Sequence, residues 1–267
     1  LGLGSAYFRP HGKDPETAHA LLRRALKHGV TYWDTARAYG NSEELIGPVV
    51  KTVRDRIFLV SKSGNRTYDG FRRDLEKSLR HLQTDTIDLY HIHNLNPKRD
   101  GDLDAVEKGA VAAARRAKDE GLIRFFGITG HSGPDILVRA IKQWEPDAVL
   151  TTFPCTRPHS GRYEDELLPL AAERKMGVIA MKTVRHARQA DLQGTDLIRY
   201  ALSLDGVHVA IVGLDSAAHL DENAAMAANF QPMDTRQRAD LHEEAARLLA
   251  GHPQPWERPG YTDGLPA

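Results

Sequence analysis

Only one cysteine, Cys155, occurs in 267 residues, so no intrachain disulfide can brace the chain, and this usage fits a reducing compartment. Neither sign of charge prevails: Lys and Arg total 36, and so do Asp and Glu. That balance removes the electrostatic footprint of a nucleic-acid or membrane-surface protein, and leaves any charged ligand to be held by local groups. No apolar run approaches the roughly 18 residues of a membrane span. Basic and aromatic residues are not interleaved; Arg72, Arg73, Lys77 and Arg80 recur on one amphipathic pattern and read as a solvated helix face. Gly2 and Gly4 lack the third glycine of a phosphate loop, so close packing accounts for them. Cys155 has no evident activating partner and reads as a passive thiol. The expectation is a soluble cytoplasmic protein without nucleic-acid or membrane partners. The chain opens with Leu1 rather than Met, which leaves a removed upstream targeting segment open.

What the chain does have is enough apolar material for a large core: 41% of its residues are hydrophobic. One α/β barrel typically takes about 250 residues. A single domain over 1–267 is expected, ending in a Pro-rich tail at 251–267. Apolar strand-like runs alternate with longer stretches of helical period. The runs at 1–6, 31–34, 57–62, 86–91, 123–129, 148–152, 177–181 and 207–212 read as strands. Helices are predicted over 15–28, from 43, over 69–82, 103–120, 134–143, 163–174, 197–204 and 217–229, with an extra one near 236–250. Strict alternation implies parallel strands with helices outside them, and eight β-α units close into a (β/α)8 TIM barrel.

In such barrels the chemistry lies where strands end at the C-terminal face. The second run, Tyr32-Trp33-Asp34, stops at an acid, and Tyr39 follows on the next loop. Gly40 breaks the chain, and Asn41 or Ser42 can cap a helix whose first turn carries Glu43 and Glu44. The third run ends in Lys62, and the fourth, carried on through Ile92, ends in His93. Three neighbouring strands thus bring an acid, an ammonium and an imidazole to one mouth, with a phenol above them.

A phenol has a pKa of about 10, so it donates protons weakly near neutrality unless a nearby cation favours the phenolate. Lys62 can supply that charge, Asp34 can hold Lys62 charged and oriented, and His93 can hydrogen-bond a substrate oxygen. His91 lies two residues before His93 on the same strand face and reads as a barrel-interior residue. Two further readings stay open. His91, His93 and Asp34 could form the ligand set of a metal-dependent hydrolase, although Lys62 and Tyr39 would then have no role. Alternatively, the barrel could bind a nucleotide as a sensor or partner module with little turnover.

Asp34-Thr35-Ala36 with Tyr39-Gly40-Asn41-Ser42-Glu43, then Ser61-Lys62, then Ile87-Asp88-Leu89-Tyr90-His91-Ile92-His93, resemble successive motifs of the aldo-keto reductase family. The resemblance extends through Gly121-Leu122-Ile123-Arg124, Gly127-Ile128-Thr129 and Leu220-Asp221-Glu222-Asn223, nearly the whole chain. It implies NAD(P)H-dependent reduction of an aldehyde or ketone, with Tyr39 as proton donor, Lys62 and Asp34 as its tuners and His93 as the orienting group. The family's upstream hairpin is missing, as expected of a chain that begins partway into its first strand.

The cofactor positions depart from the family in places. Barrels tend to bind phosphate after strands seven and eight, which points to Lys182, Gly213 and Ser216, the last at a helix N-terminus. By the resemblance, Thr129 faces the nicotinamide, and Glu222 and Asn223 lie near the adenine. His219 stands where many members carry the arginine that grips the 2′-phosphate. Imidazole cannot make that bidentate contact, so NADPH is expected with NADH possible. Gly130 replaces an asparagine, with His131 nearby to compensate; Thr151 replaces a glutamine, and Met181 an aromatic. The substrate is a small carbonyl compound of unspecified identity. The loops around Tyr7, Phe8 and Arg9, those of 153–159 and the tail would select it, with Arg157 and His159 suited to an anionic or hydroxyl-rich molecule. Oligomeric state leaves no mark in the sequence.

Overall fold

The computed structural model describes residues 1–8, 14–155, 161–184, 192–213 and 216–250; within them eight parallel strands close into a barrel in sequence order. The strands are β1 (Gly2–Gly4), β2 (Tyr32–Asp34), β3 (Phe58–Ser63), β4 (Ile87–Leu95), β5 (Ile123–Gly130), β6 (Ala148–Thr152), β7 (Gly177–Met181) and β8 (Val209–Gly213). Closure is explicit in the register, because Gly2 pairs with Tyr32 on one side and with Ile211 on the other. The helices are α1 (Pro15–Lys27), α2 (Ser42–Val53), α3 (Tyr68–Leu82), α4 (Leu103–Val106), α5 (Ala112–Asp119), α6 (Pro134–Trp144), α7 (Leu168–Glu173), α8 (Gly194–Leu202), α9 (Ala217–Ala228) and α10 (Thr235–Leu248).

The local rules behind these elements are visible at their ends. Asp14 caps α1 by accepting from Thr17 N at 3.0 Å, Pro15 takes the first position, where a missing N–H is harmless, and Ala18, Leu21, Leu22 and Ala25 form the buried stripe. Thr67 caps α3 in the same way, accepting from Gly70 N at 3.2 Å.

Two apolar regions follow from strand alternation. Side chains facing outward pack under the helices in a large cluster that includes Leu3, Trp33, Leu59, Tyr90, Ile92, Ile128, Val149 and Val178. Those facing inward fill the barrel: Tyr32, Phe58, Val60, Leu89, Ala148, Leu150, Ile179, Met181, Val209 and Ile211. The Tyr32 and Phe58 rings stack at 5.4 Å. Space beside them depends on Gly2, where a Cβ would come within 2.8 Å of Ile211 and 2.9 Å of Tyr32. The interior is therefore packed rather than a channel, and ligands meet the barrel only at its rim.

Several expectations need correction. β1 stops at Gly4, and 5–7 form a 3₁₀ turn rather than more strand, because the Ser5 hydroxyl turns to donate to Asp34 O at 2.9 Å. Neither expected cap serves α2: Asn41 makes no side-chain cap bond, and Ser42 lies inside the helix with its hydroxyl donating to Ser5 Oγ at 2.8 Å. The helical stretches at 103–120 and 163–174 are interrupted by π-helical turns, Glu107–Val111 and Tyr163–Leu167. β4 runs on to Leu95, with a register shift between Ile92 and Leu95. On α3, Arg73, Lys77 and Arg80 are exposed as expected, but Arg72 pairs with Glu120 at 2.6 Å. No described helix is long and apolar enough to cross a membrane.

Candidate active site

The C-terminal rim brings Asp34, Tyr39, Lys62 and His93 together. Lys62 Nζ donates to Asp34 Oδ1 at 2.5 Å and to Thr35 O at 2.8 Å, and both charged residues are only 1% exposed. Such a pair keeps its charges in a low-dielectric setting, where their field on a neighbour is strong. The neighbour is Tyr39, whose ring centroid lies 5.0 Å from Lys62 Nζ. The His93 imidazole meets the same ring edge-on, with centroids 5.8 Å apart and planes at 84°. Tyr39 and His93 are also buried, which leaves a small contact area for a substrate.

A frame of polar side chains that sequence reasoning did not assign to the site holds this group. Arg37, on the loop before Tyr39, ion-pairs with Glu43, and Glu43 Oε1 accepts from the Ser61 hydroxyl at 2.6 Å. The Arg37 backbone N–H donates to Lys62 O at 3.0 Å. Thr35 Oγ1 donates to Ser42 Oγ at 3.0 Å. The loop that carries Tyr39 is thus tied at both ends to β3 and to the start of α2. Glu43 reads from the sequence as a first-turn acid near the positive end of α2, and the available signal was that Ser61 adjoins Lys62 and Arg37 lies two residues before Tyr39.

His91 sits one layer below, as expected of a barrel-interior residue. It pairs in register with Lys62 on β3 and Gly127 on β5. Its ring fits because Gly127 has no side chain; a Cβ there would lie 2.5 Å from His91 Nδ1. The ring is fully buried, and among the described residues neither nitrogen has a hydrogen bond of good geometry. Burial, then the charges of Lys62 and His93, push its pKa well below the usual histidine value, so it stays neutral. Among the described residues, no three His, Cys, Asp or Glu side chains converge as metal ligands would.

The opposite side of the rim carries the expected cofactor positions. Lys182 follows β7 with a left-handed backbone at φ 61°, and next to it Thr183 Oγ1 is buried without a hydrogen-bond partner among the described residues. Gly213 ends β8; 214 and 215 lie outside the described residues. Ser216 caps α9 by accepting from His219 N at 3.2 Å, while the His219 and Glu222 side chains are exposed and Asn223 is buried. Between them Asp221 is structural: Arg24 and His28 of α1 bind it at 2.5 and 2.9 Å. The bond from Arg24 holds its carboxyl down at about 2; desolvation opposes this, and the bond from His28 assists it.

At the positions expected to face a nicotinamide, Thr129 Oγ1 accepts from Asn94 N at 2.8 Å, and His131 is buried nearby on the chain. Thr151 does not face the barrel, since Leu150 does and the faces alternate; its hydroxyl donates to Gly130 O at 2.7 Å. Met181 is part of the interior packing. Phe153 and Phe8, expected on substrate-facing loops, are fully buried, and Phe153 packs on Tyr163 with centroids 6.3 Å apart. Arg9, Arg157, His159 and 251–267 lie outside the described residues. Cys155 is buried, and burial pushes its thiol up to about 12, in keeping with a passive thiol.

A closed eight-stranded parallel barrel with a buried lysine-aspartate pair, a tyrosine and a histidine on one rim defines a narrow class. The sequence model of the aldo/keto reductase family matches residues 1–196, and the chain belongs to that family. Its relatives include oxidoreductases. It is 26% identical to L-galactose dehydrogenase of Arabidopsis thaliana over 287 residues, spanning 91% of this chain and 87% of that protein. It is 30% identical to the uncharacterized oxidoreductase YqkF of Bacillus subtilis over 183 residues, 63% of this chain but only 56% of that protein's length. Among solved structures, an aldo/keto reductase from Klebsiella pneumoniae in complex with NADP and acetate is similar with a TM-score of 0.73 and 26% identity, covering 91% of this chain and 89% of that one.

Proposed function

We propose that this chain reduces an aldehyde or ketone to the corresponding alcohol, with Tyr39 as the proton donor and NADPH, or alternatively NADH, as cosubstrate. The observation that carries this reading is the buried Lys62–Asp34 pair, 2.5 Å long, whose ammonium lies 5.0 Å from the Tyr39 ring. A cation held there favours the phenolate, and lowering a phenol's pKa by about three units takes about 4 kcal/mol. Asp34 and Thr35 O keep the ammonium from turning away. The His93 imidazole can hydrogen-bond the substrate oxygen and fix its direction relative to the Tyr39 hydroxyl.

The rim suits a dinucleotide. Thr183 Oγ1 is a buried polar atom without a partner among the described residues, next to Lys182, and the capped N-terminus of α9 offers N–H donors to a phosphate. Lys182, Gly213 and Ser216 would hold phosphate, Thr129 the nicotinamide end, and His219, Glu222 and Asn223 the adenosine end. When bound, the nicotinamide supplies the hydride. NADP bound to the Klebsiella relative supports NADPH as the first choice, and His219 in place of an arginine supports tolerance of NADH. Methylglyoxal reductase YeaE of Escherichia coli, 27% identical over 252 residues, supports a small carbonyl substrate. The lone buried Cys155 supports a cytoplasmic setting.

A fluorescence titration of the purified chain with NADPH and NADH tests the reading, followed by an assay of reduced-cofactor consumption over a panel of aldehydes and ketones. Saturable binding of at least one nucleotide and turnover of at least one carbonyl are expected. Binding of neither nucleotide by folded protein overturns the proposal.

A further inference from the structure

β4 is irregular at the point where its candidate histidine emerges. Ile92 pairs with Ile128 and Leu95 with Gly130, so His93 and Asn94 together oppose the single residue Thr129. This is a β-bulge, a device that re-aims a side chain beside a site. Its second residue, Asn94, has φ 57°, in the left-handed region that most side chains avoid. A bulge with such a backbone persists only if its surroundings determine it.

The surroundings hold one peptide unit from both sides. The N–H between His93 and Asn94 donates to Thr129 Oγ1 at 2.8 Å. The carbonyl of the same unit, His93 O, accepts from Arg66 Nη2 at 2.9 Å. Arg66 is in turn fixed by Asp100, through Nε to Oδ1 at 2.7 Å and Nη2 to Oδ2 at 3.0 Å, a two-bond fork that sets the guanidinium plane. Asp100 is 1% exposed and also accepts from Asn96 N at 2.9 Å. Burial pushes its carboxyl up, but the bonds from Arg66 and Arg99 outweigh this and leave it at about 2, so it is ionised at all ordinary pH. Arg66 is anchored on its own backbone as well, since Arg66 O accepts from Ala110 N at 2.9 Å.

We propose that Arg66, held by Asp100, is a positioning residue that locks the His93–Asn94 bulge and thereby aims the His93 imidazole at the substrate oxygen. This rests on the reading of His93 as the group that orients the carbonyl. The guanidinium touches no reacting atom; it acts on the backbone torsion next to the His93 Cα, and a displacement of about 1 Å at a catalytic group can lower turnover by about 10²-fold.

The test is a double-mutant cycle in the full chain with a spectroscopic arm. Arg66→Met is expected to lower kcat by about 10–10²-fold, with nucleotide affinity unchanged and carbonyl KM changed far less than kcat. Arg66→Lys should recover only part of the loss, because an ammonium cannot make the fork. In a His93→Ala background, Arg66→Met should cost nothing further. In protein labelled with ¹⁵N-histidine, the His93 ring signal, assigned by its absence in His93→Ala, should shift or broaden in Arg66→Met while that of the distant His208 stays. Asp100→Asn provides a milder variant if Arg66→Met does not fold, with the same pattern at smaller amplitude. Equal losses in the wild-type and His93→Ala backgrounds, or an unchanged His93 signal, overturn the proposal. If His93→Ala itself turns over normally, the orienting role of His93 fails and the catalytic part of the proposal with it. A shifted ring signal would then show that the mechanical lock stands without it.

Discussion

The rim of the barrel is built in two ways. On the β2–β4 side, Asp34 and Lys62 are 1% exposed, Ser42, Glu43 and Ser61 are buried, and a continuous set of hydrogen bonds ties the Tyr39 loop to β3 and α2. On the β7–β8 side, Lys182, Gly213 and Ser216 are half-buried, and His219 and Glu222 are exposed. The first arrangement orders charge before any ligand arrives, as stabilising a developing charge requires. The second leaves the N-terminus of α9 and several side chains open to solvent, as the proposed binding of a charged dinucleotide needs. A change of one residue on the first side disturbs bonds to several neighbours, whereas the exposed side chains of His219 and Glu222 on the second can change with fewer consequences.

The sharpest way to break this contrast is Tyr39→Phe, which removes one oxygen. Turnover is expected to fall by about 10²–10⁴-fold with nucleotide binding intact, the usual range for a lost general acid. Near-normal reduction of a good aldehyde by the folded variant would sink the assignment.

Lys62→Met leaves the phenol but removes the cation beside it. A turnover loss of similar size, a shifted pH-rate profile and no additivity with Tyr39→Phe are expected. The change also strands Asp34 in the interior, and losing one partner of a buried pair costs about 3–5 kcal/mol, to be read from urea denaturation. Replacing Asp34 by Asn in the same chain should recover part of that stability and none of the turnover.

On the other side the effects should be smaller and confined to binding. His219→Arg is expected to tighten NADPH relative to NADH by about tenfold, the equivalent of one charge-assisted bond of roughly 1.4 kcal/mol. Unchanged relative affinities in paired titrations would show that His219 does not face the 2′-phosphate.

The smallest effect comes from His91. Its folded-state pKa lies below the unfolded value of about 6.5, so in acid the unfolded chain binds a proton that the folded chain refuses. Stability is therefore full above about pH 6.5 and declines as pH falls below it. His91→Gln should flatten that part of the profile, measured as the urea midpoint between about pH 5 and pH 7. An identical slope in both proteins would place the titrating group elsewhere.

The barrel was legible because its signal is periodic: eight alternations of period two and period 3.6 are hard to arrange otherwise, and each predicted strand has its counterpart. Asp34, Lys62 and His93 were legible because polar residues closing apolar strands violate the core pattern. What escaped was set by partners distant in sequence. The Ser61–Glu43 bond joins positions 18 apart, and a bulge at His93–Asn94 depends on where β5 pairs rather than on β4 alone. The π-helical turns escaped for a different reason, since 103–119 keeps a helical composition throughout.

Because β1 lies between β2 and β8, the order in which the chain is made matters for how it folds. A ribosome releases β1 early, but the partner that closes its other side arrives only with residues 209–213. At about 5–20 residues per second, the nascent barrel carries an open seam for on the order of ten seconds or more. An exposed parallel edge invites pairing with a neighbouring chain on a crowded polysome. β1 is only three residues long and has glycine at both ends, which makes it a poor template for a stranger. The Arg24–Asp221 and His28–Asp221 bridges then fasten α1 to α9 across that same seam once both are present.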